Sequence, residues 1–198
     1  MTGKNTPNRT KSDRKKIRDE ETRGVIFTIG HSTRPLAEFI ELLKSNGVQR
    51  VIDIRTIPRS RHNPQFGQVV LATALRNAGI GYVYLKKLGG RRRPRSNSIN
   101  TGWRNTSFRG YADYMQTAEF LAGLERAVKL ACTKTSALMC AEAVPWRCHR
   151  SLVADAFAAR DIPVLEIISK SNPRLHRLTP FARVHGTTIT YPANSPAR

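Results

Sequence analysis

Residues 25–54 read VIFTIGHSTRPLAEFIELLKSNGVQRVIDI, and this stretch decides the fold because it holds two strand patterns around one helix pattern. The apolar runs at 25–29 and 50–54 lack strict polar alternation, which is typical of strands buried on both faces of a sheet. Between them, four apolar residues spaced i, i+3, i+4 and i+7 predict one face of a helix: Leu36, Phe39, Ile40 and Leu43. The stretch therefore predicts a β-α-β unit with parallel strands.

The same alternation continues along the chain. Further strands are predicted at 82–85, 137–140 and 164–168, and further helices at 70–78, 111–131 and 152–157. This order predicts a three-layer, Rossmann-like α/β fold: a mainly parallel sheet of about five strands with helices on both faces. We expect one α/β domain over residues 24–192, a disordered basic tail at 1–23 and a C-terminal tail at 193–198. One more short strand is predicted at 188–191.

The chain is strongly basic. It has 198 residues, with 34 Lys and Arg against 14 Asp and Glu, so its formal charge is +20. The segment 1–23 has eight basic and four acidic residues and contributes only +4, so most of the excess lies in the predicted domain.

No apolar run is long enough for a membrane helix, and the first residues lack the apolar centre of a signal peptide. Three cysteines do not form a disulfide framework, so we expect a cytoplasmic protein without a membrane partner.

Reactive side chains and glycines gather where the predicted strands end. In open α/β sheets, ligands bind at the carboxyl ends of the strands, so these residues are expected to share one edge. The candidates are His31, Ser32, Arg55, Arg59, Arg61, Gly89, Gly90, Cys140, Glu142, His149 and Arg150. The sequence therefore predicts a functional site at this edge of the sheet.

Six segments carry a resemblance to a known family. They are 29–32 (IGHS), 53–61 (DIRTIPRSR), 88–90 (LGG), 110–115 (GYADYM), 139–142 (MCAE) and 148–150 (CHR). In sequence and in order they resemble the domain-of-unknown-function 488 (DUF488) family, and the resemblance covers residues 25–191. It implies an α/β fold and a cytoplasmic location, and it assigns no activity. Glu166 departs from the pattern, because the resemblance leads us to expect His at this position.

Cys140 and Glu142 are the first catalytic candidates. A thiol at a strand end can be activated by nearby Arg and by a helix N-terminus, which makes Cys140 a candidate nucleophile. The alternative is a small buried residue, because the spacing from Cys140 to Arg147 differs from that of phosphatase and rhodanese loops. Glu142 is a candidate general acid or base, and its alternative role is an ion pair that orients Arg55 or Arg150.

Two histidines are further catalytic candidates. His149 and His31 are predicted to act in proton transfer, and the alternative for each is a hydrogen-bonded structural role. A zinc site that combines Cys140 with Cys148 and His149 is not expected. Adjacent ligands do not converge easily on one ion, and no Cys-x-x-Cys pair accompanies them, so the sequence predicts no metal site.

The arginines at this edge predict an anion-binding cleft. Arg55, Arg59, Arg61 and Arg150 require a negative partner, since they would otherwise repel one another, and the guanidinium group suits phosphate or carboxylate. The alternative is that some of them pair with Asp53, Asp113 or Glu142. Ser32, Gly89, Gly90, Trp103 and Tyr111 complete the predicted substrate-binding set.

The segment 86–110 contains eight Lys and Arg and no acid, with Trp103, Phe108 and Tyr111 in or beside it. Basic residues with aromatic residues are typical of single-stranded nucleic-acid or nucleotide binding. We expect a lid over the site, and the alternative is a loop whose aromatic residues pack onto the domain.

Two functions follow from these patterns. The first is an enzyme that acts on an anionic, phosphate-bearing substrate, either a nucleotide or a nucleic acid. The alternative is a non-catalytic nucleic-acid-associated binding protein. No cofactor is expected, because the chain has neither a Gly-x-Gly-x-x-Gly segment after its first strand nor a phosphate-loop Lys-Ser/Thr.

Overall fold

The structure is a computed structural model that describes residues 24–193. The predicted tail at 1–23 and residues 194–198 of the predicted C-terminal tail lie outside the described residues. The strands are β1 (Ile26–Gly30), β2 (Arg50–Asp53), β3 (Gly81–Tyr84), β4 (Ser136–Cys140), β5 (Val164–Ile167), β6 (Arg174–Leu175), β7 (Arg183–His185) and β8 (Thr188–Thr190). The first six form one sheet in the order β3-β2-β4-β1-β5-β6, parallel except for the β5-β6 pair. The predicted, mainly parallel sheet is confirmed.

Helices cover both faces of this sheet. They are α1 (Leu36–Ser45), α2 (Gln68–Asn77), α3 (Thr106–Tyr114), α4 (Ala118–Thr133) and α5 (Arg150–Ala158). One apolar core includes Phe39 of α1 and Leu71 of α2, and the other includes Phe120 of α4 and Leu152 of α5. The three-layer arrangement is therefore confirmed. Among residues 24–193, no helix is both long and apolar enough to cross a bilayer.

The single helix predicted at 111–131 is wrong, because two helices occupy this region. Helix α3 ends at Tyr114, and α4 begins after Thr117, whose side chain accepts a hydrogen bond from the Phe120 amide. Helix α3 also begins earlier than predicted, because the Asn105 side chain caps it by accepting from the Ser107 and Phe108 amides. Both helices bury residues in the same core, so their apolar spacing looks continuous in the sequence.

The C-terminal region also differs from the prediction of one short strand. It contributes β6 to the edge of the main sheet, and β7 and β8 form a separate antiparallel pair. These strands are only two or three residues long, which is too short for an alternation pattern to be recognised.

The central strands bring the candidate residues to one edge. In the parallel pair β1-β4, Gly30 lies opposite Cys140, and in β2-β4, Asp53 lies opposite Met139. The carboxyl ends of β1, β2 and β4 are therefore level with one another. The chain segments that leave these three strands start side by side at this edge, which is where ligands bind in open α/β sheets.

Candidate functional site

A large cleft lies at the carboxyl edge of the sheet, with a volume of about 1530 Å³. Its walls are the segments that follow β1, β2 and β4, together with Gly90, Arg91 and two residues of α3. A typical small-molecule site has a volume of roughly 300–1,000 Å³. The cleft therefore has room for a substrate larger than a single small metabolite.

The structure brings together most of the site residues predicted from the sequence. Those that line the cleft are His31, Ser32, Arg55, Arg59, Arg61, Gly90, Cys140, Glu142 and His149. Four of the predicted residues are not part of its wall: Gly89, Trp103, Tyr111 and Arg150. Arg147 also lines the cleft, although the sequence pointed to it only through its spacing from Cys140 and not as an anion-binding residue. The short 3₁₀ turn Pro145–Arg147 carries it there.

Two cysteines and one histidine meet at the floor of the cleft. The His149 Nδ1 atom lies 3.8 Å from the Cys140 sulfur and 3.7 Å from the Cys148 sulfur. The three ligand atoms lie within 4.8 Å of one another. This differs from the expectation that the adjacent side chains of Cys148 and His149 do not converge.

A backbone contact fixes which nitrogen of His149 faces the sulfurs. His149 Nε2 lies 3.0 Å from the Ile54 carbonyl oxygen, which can only accept a hydrogen bond, so Nε2 carries the proton. Nδ1 then carries the free lone pair and faces the two sulfurs. The proton-transfer role that the sequence predicts for His149 stays a prediction.

The surroundings of Cys140 stabilise its thiolate. A hydrogen bond from Cys148 lowers the pKa of Cys140, whereas burial of the thiol raises it. The positive charge of Arg150 and the amides of Ala141 and Glu142 also lower this pKa. The same contact with Cys140, together with burial, raises the pKa of Cys148 well above its ordinary value. Cys140 is therefore the sulfur that carries negative charge first, and Cys148 donates to it.

Gly90 leaves room for the imidazole ring. A Cβ atom at Gly90 would lie 2.8 Å from His149 Nδ1 and 3.1 Å from its Cγ atom, closer than side chains pack. The neighbouring Gly89 lies beside the Thr56 backbone, where a Cβ atom would approach Thr56 Cα to 3.0 Å. The two glycines that the sequence singled out therefore serve close packing next to the floor of the cleft.

Arg55 and His31 belong to a buried network beside the cleft. Arg55 Nη2 donates to the Asp53 carboxylate at 2.6 Å, and Tyr82 donates to the same carboxylate at 2.7 Å. His31 stacks on Phe66 with ring centroids 4.2 Å apart. Burial lowers the pKa of His31 to about 4, so this ring is neutral near pH 7. The Asp53 carboxylate therefore balances the charge of Arg55. Pairing with Asp53 was the alternative to anion binding that the sequence left open for this arginine.

Arg150 does not line the cleft but supports two residues of its wall. Its buried guanidinium donates to the backbone carbonyl oxygens of Glu142 and Ala143, so it braces the segment after β4. The Glu142 carboxylate itself is exposed and forms no ion pair among residues 24–193. The ion pair that the sequence offered as the alternative role for Glu142 is therefore absent from this part of the chain.

Four exposed arginines surround the cleft: Arg59, Arg61, Arg91 and Arg147. Within the described part of the chain, none of them forms an ion pair with a carboxylate. Their charges are therefore not balanced by the protein over residues 24–193. The backbone of Ser32, which also lines the cleft, has a φ of 51°, a strained left-handed value that persists only when surrounding contacts impose it.

Comparison with models of known protein families shows to which family the chain belongs. A family model described as "Domain of unknown function DUF488" matches residues 35–157. The chain belongs to the DUF488 family. Comparisons with curated proteins and with solved structures found no match. The DUF488 match begins one residue before α1 and ends at the penultimate residue of α5, so it includes the arginines of the cleft and the Cys140, Cys148 and His149 cluster.

In this DUF488 chain, the segment after β3 is packed onto the domain. The Asp113 carboxylate accepts from the Arg95 amide, the Ser98 hydroxyl and the Asn100 side chain at 2.6–2.8 Å. Trp103 packs against Phe108, Phe181 and Tyr191, with ring centroids 4.7–5.7 Å apart. These contacts favour the packed alternative over the predicted lid.

Tyr111 supports the site without lining it. Its hydroxyl donates to the Leu88 carbonyl oxygen at 2.7 Å, and its ring lies 5.0 Å from the His149 ring. The side chain that the sequence assigned to substrate binding is therefore fully buried beneath the imidazole.

His176, which no pattern in the sequence indicates, forms a buried cluster outside the cleft. Its Nε2 lies 2.8 Å from Asp155, and its Nδ1 lies 2.8 Å from Glu166. The two carboxylates raise the pKa of His176 to about 9, although burial acts in the opposite direction. Glu166 in an otherwise apolar strand was the available signal, since a carboxylate there requires a partner.

Proposed function

We propose that this DUF488 protein is an enzyme that acts on an anionic, phosphate-bearing substrate held in the cleft. The observation that carries the proposal is a set of arginines around one cleft that form no ion pair within residues 24–193: Arg59, Arg61, Arg91 and Arg147. A guanidinium group presents donors in a planar fork that matches phosphate oxygens. The volume of the cleft suits a nucleotide or the end of a nucleic acid.

Glu142 is the proposed proton-transfer residue. It lines the cleft, two residues beyond Cys140, and its carboxylate forms no ion pair among residues 24–193. His149, in contrast, contacts the Ile54 carbonyl with one nitrogen and the two sulfurs with the other. Glu142 is therefore free to exchange a proton with a bound substrate, whereas His149 is held in place.

Calorimetric titration of chelator-treated protein with inorganic phosphate and with a nucleoside monophosphate tests the anion site. We expect Arg59→Gln, Arg61→Gln and Arg147→Gln each to weaken binding by roughly 10-fold, because a hydrogen bond to a charged group contributes about 1.5–3 kcal/mol. The matched control is Arg76→Gln, which removes an exposed arginine of α2 outside the cleft. Equal affinities of all four variants, or no binding of either anion to wild type, would contradict the proposal.

One feature favours the second candidate, a nucleic-acid-binding protein without catalysis. Arg91, Arg93 and Arg95 are exposed in one short segment that begins at the cleft. If a single strand follows this segment, log affinity falls with log salt by about 0.7 for each phosphate contact. Replacing all three by Gln would then reduce the slope by about 2. An unchanged slope, measured by fluorescence anisotropy with a single-stranded oligonucleotide, would count against this candidate.

A further inference from the structure

The geometry at the floor of the cleft points to a zinc site. We propose that Cys140, Cys148 and His149 bind one Zn²⁺ ion through their two sulfurs and Nδ1, with the fourth position open to the cleft. Cysteine thiolate and imidazole are the ligands that zinc prefers. This proposal concerns metal binding by three residues and does not depend on the anion site.

The distances suit a tetrahedral ion. Zn–S bonds of about 2.3 Å and Zn–N bonds of about 2.0–2.1 Å place sulfur and nitrogen about 3.5–3.6 Å apart in a tetrahedron. The two observed sulfur–nitrogen distances are 3.8 and 3.7 Å. Both sulfur–nitrogen distances are therefore only a few tenths of an ångström longer than one tetrahedral ion requires, and the two sulfurs lie within 4.8 Å of each other.

A hydrogen bond outside the cluster orients His149 as a metal site requires. A metal-bound histidine almost always donates its other ring N–H to a carbonyl or carboxylate, which fixes the tautomer. His149 Nε2 donates to the Ile54 carbonyl in this way. This contact leaves the lone pair of Nδ1 on the side of the two sulfurs.

The cluster lies within the packed body of the protein. Cys140 and Cys148 are only 6% and 3% exposed, and Gly90 provides the space for the imidazole ring. Arg150 braces the segment between the first two ligands through the carbonyl oxygens of Glu142 and Ala143. The three ligand positions are therefore fixed by the fold itself, as a preorganised site requires.

An open fourth position is the arrangement of catalytic zinc sites, in which three protein ligands leave one place for water or substrate. All three ligands line the cleft, and so does Glu142. In this role Cys140 is a ligand and not the nucleophile that the sequence predicted. A water at the open position would then add hydroxide to the phosphorus of a phosphate ester while Glu142 accepts the proton. The ester P–O bond would break, and Glu142 would return the proton to the leaving oxygen, so that an alcohol and a phosphate are released. This last role rests on the proposed function, whereas metal binding does not.

Titration of the reduced, chelator-treated full chain with Co²⁺ and Zn²⁺ tests the site. We expect one Co²⁺ per chain, with a thiolate charge-transfer band of the strength of two sulfur ligands, and displacement of Co²⁺ by one equivalent of Zn²⁺. Cys140→Ser and Cys148→Ser are each expected to weaken binding by at least about 100-fold, since even outer contacts change affinity by 10–100-fold. Each is also expected to halve the band. The control is Cys132→Ser, which removes an exposed cysteine of α4.

A wild-type protein without the charge-transfer band, or a Cys148→Ser variant that binds as tightly as Cys132→Ser, would overturn the proposal. If the ligand variants do not fold, as judged by circular dichroism, the wild-type spectrum decides alone, because it reports the number of sulfur ligands directly. The metal titration contains no phosphate, and the anion titration contains no metal. Each proposal can therefore fail while the other stands.

Discussion

Replacing Gly30 with alanine is expected to lower the free energy of unfolding by about 4 kcal/mol or more, at the upper end of single-substitution effects. A Cβ atom at Gly30 would lie 1.7 Å from the Glu142 carbonyl oxygen and 2.8 Å from the Arg150 guanidinium. The obstacle is backbone, which cannot turn aside as a flexible side chain can. The segment after β4 would have to leave the end of β1 and lose its hydrogen bonds to Arg150.

Urea denaturation measures this effect, and Gly81→Ala is the matched control. Gly81 also lies in a strand of the same sheet, but its nearest contact to an added Cβ atom is 3.6 Å, an ordinary packing distance. The control is expected to change the free energy of unfolding by less than about 1 kcal/mol. If both variants show the wild-type midpoint, Glu142 and Gly30 do not approach as described, and the wall of the cleft is built differently.

Raising the pH through 9 is expected to destabilise the protein through His176. Its pKa is raised from the unfolded value of 6.5 to about 9, so the stabilisation is fully present below pH 6.5 and is lost as the pH rises past 9. One pKa unit corresponds to about 1.4 kcal/mol, so the loss is about 3 kcal/mol. Asp155 of α5 and Glu166 of β5 face the ring, and Tyr191 and Thr179 donate to Asp155.

Chemical denaturation at pH 6, 7.5 and 9.5 checks this prediction. His176→Asn is expected to be less stable than wild type at pH 6. Its free energy of unfolding is expected to fall much less than that of wild type between pH 6 and 9.5. The control is His62→Asn, which replaces an exposed histidine and keeps the wild-type decline. A His176→Asn protein that declines as steeply as wild type would show that the cluster does not hold a charged imidazole.

The sequence was sufficient to predict the architecture because its signals are local. A buried parallel strand appears as a short apolar run, and an amphipathic helix appears as a 3.6-residue period, so the sheet and the two outer layers could be predicted. The clustering of the site residues at one edge also follows from local patterns, because parallel strands share the direction in which they end. Thus Gly30 lies level with Cys140, and Asp53 lies level with the preceding residue, Met139.

The pairing of individual side chains in the site could not be predicted from the sequence, because it depends on tertiary contacts. Arg55 and Arg59 look equivalent in the sequence, yet Arg55 pairs with Asp53 inside the protein whereas Arg59 remains exposed at the cleft. The convergence of Cys148 and His149 on Cys140 depends on the path of the chain through the turn at Pro145–Arg147, and no residue spacing encodes that path. His176 lies in a region without periodicity, so the sequence could indicate that Glu166 needs a partner but could not identify His176 as that partner.

The most direct test of the proposed anion site is a nuclear magnetic resonance titration of the ¹⁵N-labelled protein with inorganic phosphate. We predict saturable shifts in the backbone amides of residues 31–33, 55–61 and 141–149, which form three walls of the cleft. Amides of α2 and of the β7-β8 pair are predicted to stay unchanged. Shifts spread over the exposed arginines of the whole surface, or confined to the segment 91–95, would contradict a phosphate-binding cleft at the carboxyl edge of the sheet.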